Sequence, residues 1–337
     1  MRAWSAGSGK VGKWERMNAH DYYRLRYPYE ELVALLTSNG DELHHFEFAI
    51  EGPDTYKRFV SVKTANELKQ AVTRFPDVTT FHFGPAYTGR PEPKRTSGAY
   101  ENASVPHRRV LSFDIDLTDY EWLGLKDNNM TLARCDAAYP VSAIALQLLK
   151  TLLEKAFGYT RILMVYWGRR GVHVHVFDEG AMALSDAGRS AVAGYLNNNL
   201  SFHKNMRSDD DVRLVMFMNH LKPTVYHLFE TVLLKRMGLF ERLDARVDFV
   251  NRLEVEQHPK LAHGMLLSLA EDTMEVDTGE EAWELIRQKV CACGVVWMAQ
   301  RLDAVVLAYV WPRLDYHVTA KLDHLTKVPF AAHAKLS

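Results

Sequence analysis

The chain contains 337 residues, of which 47% are hydrophobic and 25% are charged, and its formal net charge at pH 7 is -1. This length and composition are typical of a globular protein with one large or two smaller domains. The balanced charge excludes strong non-specific binding of nucleic acid by the chain alone, because such binding depends on neutralising phosphates. The three cysteines form no disulfide framework and fit a reducing compartment, and no apolar run approaches the ~20 residues that cross a bilayer.

The N-terminal part of the chain predicts a tail followed by short helices and strands. Residues 1–14 are basic and carry no acidic side chain, which predicts a flexible tail and leaves a short organelle-targeting peptide as the alternative. The GSGKVG stretch at 7–12 matches a dinucleotide-binding pattern, but no strand precedes it, which argues against a cofactor site. Hydrophobic spacing then predicts helical pieces over 20–37 interrupted by Pro28, strands within 43–62, a helix over 64–74 and a strand over 79–84.

An acidic strand is predicted for residues 111–120, LSFDIDLTDY. Asp114 and Asp116 alternate with apolar residues, so both carboxylates lie on one face of the strand and repel each other. Divalent cations prefer such oxygen ligands, and paired carboxylates hold two ions about 4 Å apart in nucleotidyl transfer. Two other interpretations stay open: an exposed edge strand with solvated acids, or acids paired with the upstream Arg108 and Arg109.

A basic hairpin is predicted for residues 161–178, where two β-rich runs flank GRRG. Arg169 and Arg170 stand at the tip and His173 follows in the second strand. Planar guanidinium groups bind phosphate oxygens with two parallel hydrogen bonds. A solvated tip and a core histidine are the alternatives for each feature alone, but beside an acidic strand the hairpin favours a nucleoside triphosphate.

The rest of the chain is predicted to be helical and then to return to strand and loop. A helix over 141–157 ends at Gly158, and 184–299 has mostly helical spacing. Cys291 and Cys293 are interpreted as buried small residues, because no second cysteine pair lies nearby.

The C-terminal part carries a third carboxylate and two more cations. The apolar run AVVLAYVW at 304–311 predicts a strand, after which Asp315 adds the carboxylate. Lys327 and His333 are the cationic side chains. The alternatives are that Asp315 only caps a turn and that Lys327 is a surface charge.

These motifs resemble the small, catalytic subunit of archaeo-eukaryotic DNA primase, in its eukaryotic form. The matching stretches, in family order, are YYRLRYPYEEL, TYKRF, FGPAYTGRP, LSFDIDLTDY, VYWGRRGVHVHVFDE and WPRLDYHVTAKLDHLTKVPFAAH. The resemblance implies an α/β (mixed α+β) primase fold, with mixed β-sheets flanked by helices. It implies a catalytic core over 15–183 and 300–337 and a helical insert over 184–299.

The resemblance further implies a polymerase that makes RNA primers from NTPs on single-stranded DNA. The catalytic and metal-binding residues would be Asp114, Asp116 and Asp315, holding two Mg²⁺ or Mn²⁺ ions that activate the attacking 3′-hydroxyl and steady the triphosphate. The nucleotide-binding residues would be Arg58, Arg169, Arg170, His173, His324, Lys327 and His333. The implied partners are an iron–sulfur-containing large subunit in a heterodimer and an alpha-type replicative polymerase complex, in the nucleus.

The chain departs from the family pattern at several positions. Only Cys135 stands where the family has a zinc-binding cysteine cluster, and one thiolate cannot build such a site, so we expect no structural zinc. Trp167 replaces a serine before GRRG, and His45 and His82 stand where acidic residues are usual. The chain also ends soon after His333, earlier than other members. Two further interpretations therefore stay open: a repair or translesion primase-polymerase that uses dNTPs, and a catalytically weakened scaffold subunit.

Overall fold

The computed structural model describes residues 17–93, 104–126, 129–167, 170–197, 221–254 and 259–332. The predicted tail, the GSGKVG stretch, Arg169 and His333 lie outside these ranges. The chain divides into two compact units, one within Met1–His107 and Leu325–Ser337 and the other within Arg108–His324. The predicted α/β class is confirmed, because both units combine helices with antiparallel strand pairs.

Short helices and strands alternate in the first half of the chain, and most of the second half is helical. The strands are β1 (Phe46–Glu51), β2 (Tyr56–Val60), β3 (Thr80–Tyr87), β4 (Pro106–Arg108), β5 (Leu111–Asp116), β6 (Ile162–Tyr166), β7 (Gly171–Val176) and β8 (Thr326–Lys327). The α-helices are α1 (Ala19–Leu25), α2 (Tyr29–Leu36), α3 (Ala65–Thr73), α4 (Leu132–Phe157), α5 (Glu179–Met182), α6 (Asp186–Asn197), α7 (Leu243–Asn251), α8 (Pro259–Glu275), α9 (Gly279–Ala292), α10 (Val296–Val310) and α11 (Tyr316–Ala320). Residues 221–228 are also α-helical and continue into a π-helical stretch, Phe229–Arg236.

The first unit is built around a sheet with the strand order β2-β1-β3-β4, and β8 also pairs with β3. Its strands bury a phenylalanine-rich face, with Phe46, Phe48, Phe81 and Phe83 fully buried. Pro28 separates α1 from α2 as predicted, because proline lacks the N–H that a continuing helix needs. The side chain of Thr64 caps α3 by accepting a hydrogen bond from the Glu67 amide.

The second unit contains a three-stranded antiparallel sheet with the order β5-β7-β6. The predicted acidic strand and basic hairpin are therefore neighbours, because β7 is both the second arm of the hairpin and the partner of β5. The apolar face of β5 and the valines of β7 enter one hydrophobic core with α4 and α10. This core buries Phe113, Ile115, Leu117, Val172, Val174 and Val176.

Helix α4 begins earlier than predicted, at Leu132 rather than near residue 141. Pro140 lies inside the helix, although proline usually ends or kinks a helix. The helix instead starts after Thr131, whose side chain accepts a hydrogen bond from the Arg134 amide. It ends as predicted at Gly158, whose φ of 70° suits glycine.

The predicted strand AVVLAYVW is wrong, because the run belongs to helix α10. Every residue from Ala304 to Val310 is buried, so this part of the helix shows no polar face. A short apolar run of this kind cannot be assigned to strand or helix from periodicity alone. The interpretation of the cysteine pair as buried is also wrong: Cys291 is exposed and Cys293 half-exposed, near the solvent-facing end of α9.

The two units divide the chain at different positions from the predicted domains. Residues on both sides of position 184 contribute to one core of the second unit, including α4 and the helices from α6 onward. The functional division into a catalytic core and a helical insert stays a prediction. Among the described residues, no helix combines the length and the apolar character required to span a membrane.

Candidate active site

The two carboxylates of β5 face basic side chains of the neighbouring hairpin. The strand register sets Asp114 opposite His173, and Asp114 Oδ1 lies 3.1 Å from His173 Nε2. Asp116 Oδ2 lies 2.8 Å from Arg170 Nε. The carboxylates thus contact two of the hairpin side chains predicted to bind phosphate.

Asp116 also ends the strand. Its Oδ1 accepts hydrogen bonds from the amide and hydroxyl of Thr118, at 2.9 and 2.8 Å. These bonds start the 3₁₀ turn Leu117–Asp119. One carboxylate oxygen is therefore held by the backbone, while the other faces Arg170.

Asp315 lies beside the acidic strand, although it is about two hundred positions away in sequence. Its amide donates a hydrogen bond to the Asp114 carbonyl at 3.0 Å, and the preceding Leu314 forms a β-bridge with Ile115. The Asp315 side chain caps α11 by accepting from the His317 amide at 2.8 Å. Asp315 therefore caps a helix, and its side chain is exposed.

A fourth carboxylate, Asp119, was missed in the sequence. It follows β5 in the 3₁₀ turn and is exposed. Partial burial raises the pKa of Asp119, and repulsion from Asp116, Asp114 and Asp315 raises it further. Asp119 is therefore close enough to the three other carboxylates to interact with them. The signal was the acidic residue of LTDY, directly after the strand.

The tip of the hairpin is fastened to the end of the acidic strand. The Leu117 amide donates to the Arg170 carbonyl at 3.0 Å, and the Trp167 amide donates to the Gly171 carbonyl at 3.1 Å. The Trp167 ring packs edge-on against His173, with centroids 4.7 Å apart. Trp167, which replaces the family serine, therefore limits the orientations open to His173.

His324 belongs to the same unit as the three carboxylates. Burial lowers its pKa, and the positive charge of Arg109 lowers it further, while Asp315 and Asp114 act in the opposite direction. Because the net shift is downward from about 6.5, His324 is predominantly neutral at pH 7. A neutral imidazole can both donate and accept a hydrogen bond.

Arg58 and Lys327 belong to the first unit. Arg58 makes a two-pronged contact with Glu47, with Nε at 2.8 Å and Nη2 at 3.2 Å from the two carboxylate oxygens. Glu47 is fully buried and also accepts from the Tyr87 hydroxyl at 2.9 Å. Lys327 stands opposite His82 in the β8–β3 pairing.

Glu47 was missed in the sequence and changes the expectation for His45. Although His45 stands where an acidic residue is usual, the same segment supplies a carboxylate at Glu47. Just before Glu47 in the sequence, three side chains each offer one atom that could bind a metal ion, and these atoms lie within 4.8 Å of one another. They belong to Glu42, His44 and His45. His44 Nδ1 already lies 3.0 Å from Glu42 Oε2.

Arg109 is a buried residue that holds backbone carbonyls near Asp315. It is fully buried, and its Nη1 donates to the carbonyls of Val318 and Lys321, both at 2.9 Å. Burial lowers the pKa of Arg109 to about 9, and repulsion from Arg189 contributes. These two bonds tie Arg109 to the backbone around the helix α11. Arg109 thus fastens the helix that Asp315 caps.

Comparison with known proteins assigns the chain to a family. A family model described as DNA primase small subunit matches residues 113–336. This chain belongs to the DNA primase small subunit family. It is 30% identical to the DNA primase small subunit of Schizosaccharomyces pombe, over 96% of this chain and 72% of that protein. The corresponding protein of Drosophila melanogaster is 26% identical, over 93% of this chain and 73% of its own length.

Acid sensitivity is expected from a buried histidine next to the site. His175 is fully buried and its Nδ1 lies 2.9 Å from the Ser112 hydroxyl. Burial, with the charges of His173 and Arg109, holds the pKa of His175 well below its usual range. As pH falls below about 6.5, the unfolded chain binds this proton first, so stability should decrease by up to about 1.4 kcal/mol per pH unit.

The measurement is urea unfolding at about pH 7.5 and about pH 5.5. His175→Gln keeps a hydrogen-bonding side chain but cannot titrate, so its midpoint should shift less between the two conditions than that of the unaltered chain. Equal shifts would contradict the assignment of this acid sensitivity to His175.

Proposed function

We propose that this chain is the catalytic subunit of a DNA primase and synthesises RNA primers from NTPs on single-stranded DNA. The observation that carries the proposal is the hydrogen bond from the Asp315 amide to the Asp114 carbonyl. It brings the third carboxylate of the family pattern beside the acidic strand, whose β7 neighbour carries His173. Membership of the primase small subunit family supports the same activity.

Two divalent cations fit the chemistry of this cluster. The donors of Asp114, Asp116 and Asp315 are all carboxylate oxygens, which suit Mg²⁺ and Mn²⁺. Burial raises the pKa of Asp119 and repulsion from Asp116, Asp114 and Asp315 contributes, and bound cations would offset that repulsion. When bound, the ions would lower the pKa of the attacking 3′-hydroxyl and offset charge on the leaving pyrophosphate. Because one cysteine cannot hold zinc near Cys135, we also propose that the chain contains no structural zinc.

The chain's own cations would bind and orient the triphosphate. Arg170 presents a guanidinium fork that now contacts Asp116, and phosphate oxygens would take the place of that carboxylate once metal ions occupy it. His173, held in orientation by Trp167 and Asp114, would donate a hydrogen bond to the same phosphates.

The other side chains that the family pattern assigns to the nucleotide complete the proposal. These are Arg58, Arg169, His324, Lys327 and His333. The buried Glu47 carboxylate holds Arg58 in one orientation, which lowers the entropy lost when a ligand binds. Contacts of these residues with the 2′-hydroxyl would favour a ribonucleotide.

We propose that the chain works with a large primase subunit and a replicative polymerase in the nucleus. The near-neutral charge supports a partner that shares the grip on the template, because backbone neutralisation supplies most non-specific affinity.

A synthesis assay on an unprimed single-stranded DNA template tests the proposal. We expect short RNA products from NTPs with Mg²⁺ or Mn²⁺, and none after chelation of the metal. A strong preference for dNTPs would contradict RNA priming and indicate the repair polymerase. Absence of product from either nucleotide, even with the large subunit present, would indicate the scaffold subunit.

A further inference from the structure

Three tyrosine hydroxyls of the first unit hold the backbone of residues 329–332. The Tyr22 hydroxyl donates to the Phe330 carbonyl at 2.7 Å, and the Tyr27 hydroxyl donates to the Pro329 carbonyl at 2.9 Å. The Ala332 amide donates to the Tyr23 hydroxyl at 3.0 Å. We call these three side chains the tyrosine clamp. They come from the YYRLRY stretch near the N-terminus and bind a segment about 300 positions later.

The clamp is rigid because its rings are packed. Tyr23 and Tyr27 are buried, and their rings contact each other with centroids 5.6 Å apart. Both also pack edge-on against Phe81 of β3, at 5.4 and 5.0 Å. Since packed aromatic rings have few rotamers, their hydroxyls are fixed in space relative to β3.

The clamped segment has a backbone conformation that needs external support. Phe330 has a φ of 62°, in the left-handed region that residues with a Cβ avoid. Its side chain is about half exposed, so burial of the ring does not compensate for the strain. The Tyr22 hydroxyl binds the carbonyl of this same residue. Strained backbone that the surroundings hold in place is concentrated at functional sites.

The clamped segment, residues 329–332, begins two residues after Lys327. Strand β8 has only two residues, paired with β3 at His82 and Phe83. A pairing of two residues holds the chain weakly by itself. The tyrosine clamp adds contacts that begin at Pro329, two residues after Lys327. The β3 pairing and the tyrosine clamp therefore fix the backbone on both sides of this lysine.

We propose that the tyrosine clamp positions Lys327 for the nucleotide triphosphate, which makes Tyr22, Tyr23 and Tyr27 positioning residues of the nucleotide site. The proposal rests on the function proposed above, in which Lys327 binds phosphate. The attraction between the Lys327 ammonium group and a phosphate depends on the distance between them, so displacement of the Lys327 backbone would weaken this contact.

The structure supplies a matched control in Tyr29. This residue is as buried as Tyr27, and its ring packs against Tyr27 at 4.7 Å and against Phe81 at 6.0 Å. Among the described residues, its hydroxyl has no hydrogen-bond partner. Tyr29→Phe thus removes a buried hydroxyl from the same aromatic cluster without altering the clamped segment.

The first test compares steady-state primer synthesis by Tyr27→Phe and Tyr29→Phe in the full chain. We expect Tyr27→Phe to raise the KM for NTP by about tenfold, as the loss of one buried hydrogen bond can, with kcat nearly unchanged. Tyr29→Phe should leave both constants unchanged. Tyr22→Phe, which removes the hydroxyl that binds the Phe330 carbonyl, provides the same test if Tyr27→Phe does not fold. Unchanged KM values in the clamp variants would overturn the proposal.

A double-mutant cycle with Lys327→Ala distinguishes positioning from general stabilisation. If the clamp acts through Lys327, adding Tyr27→Phe to Lys327→Ala should raise KM no further. Independent, multiplying effects would show that the clamp does not act through this lysine.

Calorimetric titration with a non-hydrolysable ribonucleoside triphosphate separates the two proposals. An unaltered chain that binds the nucleotide but makes no primer overturns the proposed function alone. Equal dissociation constants for the unaltered chain and for Tyr22→Phe/Tyr27→Phe overturn the clamp proposal alone. An unaltered chain that does not bind the nucleotide overturns both.

Discussion

Replacing Asp114 and Asp116 together by asparagine is expected to reduce primer synthesis by at least about 10³-fold, which corresponds to about 4 kcal/mol of lost transition-state stabilisation. Asparagine preserves the size of each side chain and an oxygen that can accept a hydrogen bond, but it removes two negative charges. Without them, Asp315 and Asp119 alone would hold divalent cations weakly. Two measurements test this. The first is primer synthesis on a single-stranded template. The second is Mn²⁺ binding, detected as a decrease in the electron paramagnetic resonance signal of the free ion.

The fold of this double variant should stay intact. Both carboxylates are partly exposed, with 34% and 27% of their side chains accessible, and ion pairs in such positions contribute at most about 1 kcal/mol. Asp54→Asn, which removes an exposed charge in the turn between β1 and β2, is the control and should leave synthesis unchanged. A double variant that still extends primers would show that these carboxylates do not bind the catalytic metal.

The acidic strand and the basic hairpin could be predicted because their signals are local. Alternation at Phe113, Ile115 and Leu117 predicts both the strand and its buried face. The glycines of GRRG predict the tight connection between β6 and β7. The pairing of β5 with β7 did not follow from either pattern, since nothing local specifies which strands become neighbours. The family resemblance placed both motifs in one site, and the structure adds that their strands pair.

The helix α10 shows where local patterns fail. Five of the eight residues of AVVLAYVW are β-branched or aromatic, which favours a strand, but burial in the core lets tertiary packing override that preference. The contact of Asp315 with Asp114 also could not be predicted from the spacing of residues in the sequence. It depends on Leu314 bridging Ile115 and on a helix held in place by residues far away in sequence.

The buried contact between Glu47 and Arg58 had no readable signal for a similar reason. An acidic residue inside a strand usually indicates the solvent-facing side, and only the folded sheet brings it to Arg58 and Tyr87. Buried polar residues of this kind are stable only when all their partners are present. Sequence patterns identify candidate residues, whereas the partners that make their burial possible are a property of the assembled unit.

Arg109 is fully buried and binds the segment that follows Asp315, and Arg109→Met is expected to destabilise the chain by about 3 kcal/mol. Methionine fills much of the same space but donates no hydrogen bond, so the carbonyls of Val318 and Lys321 lose their donor inside the protein. Val318 lies in α11, which begins directly after Asp315. Because the variant loses the contact that holds this helix, the amides of α11 should exchange with solvent faster. Urea unfolding and hydrogen exchange of residues 316–320 measure the two effects. Arg236→Met, an exposed site, should change neither. If Arg109→Met lowers stability without faster exchange in α11, Arg109 supports the core but does not hold the helix that carries the third carboxylate.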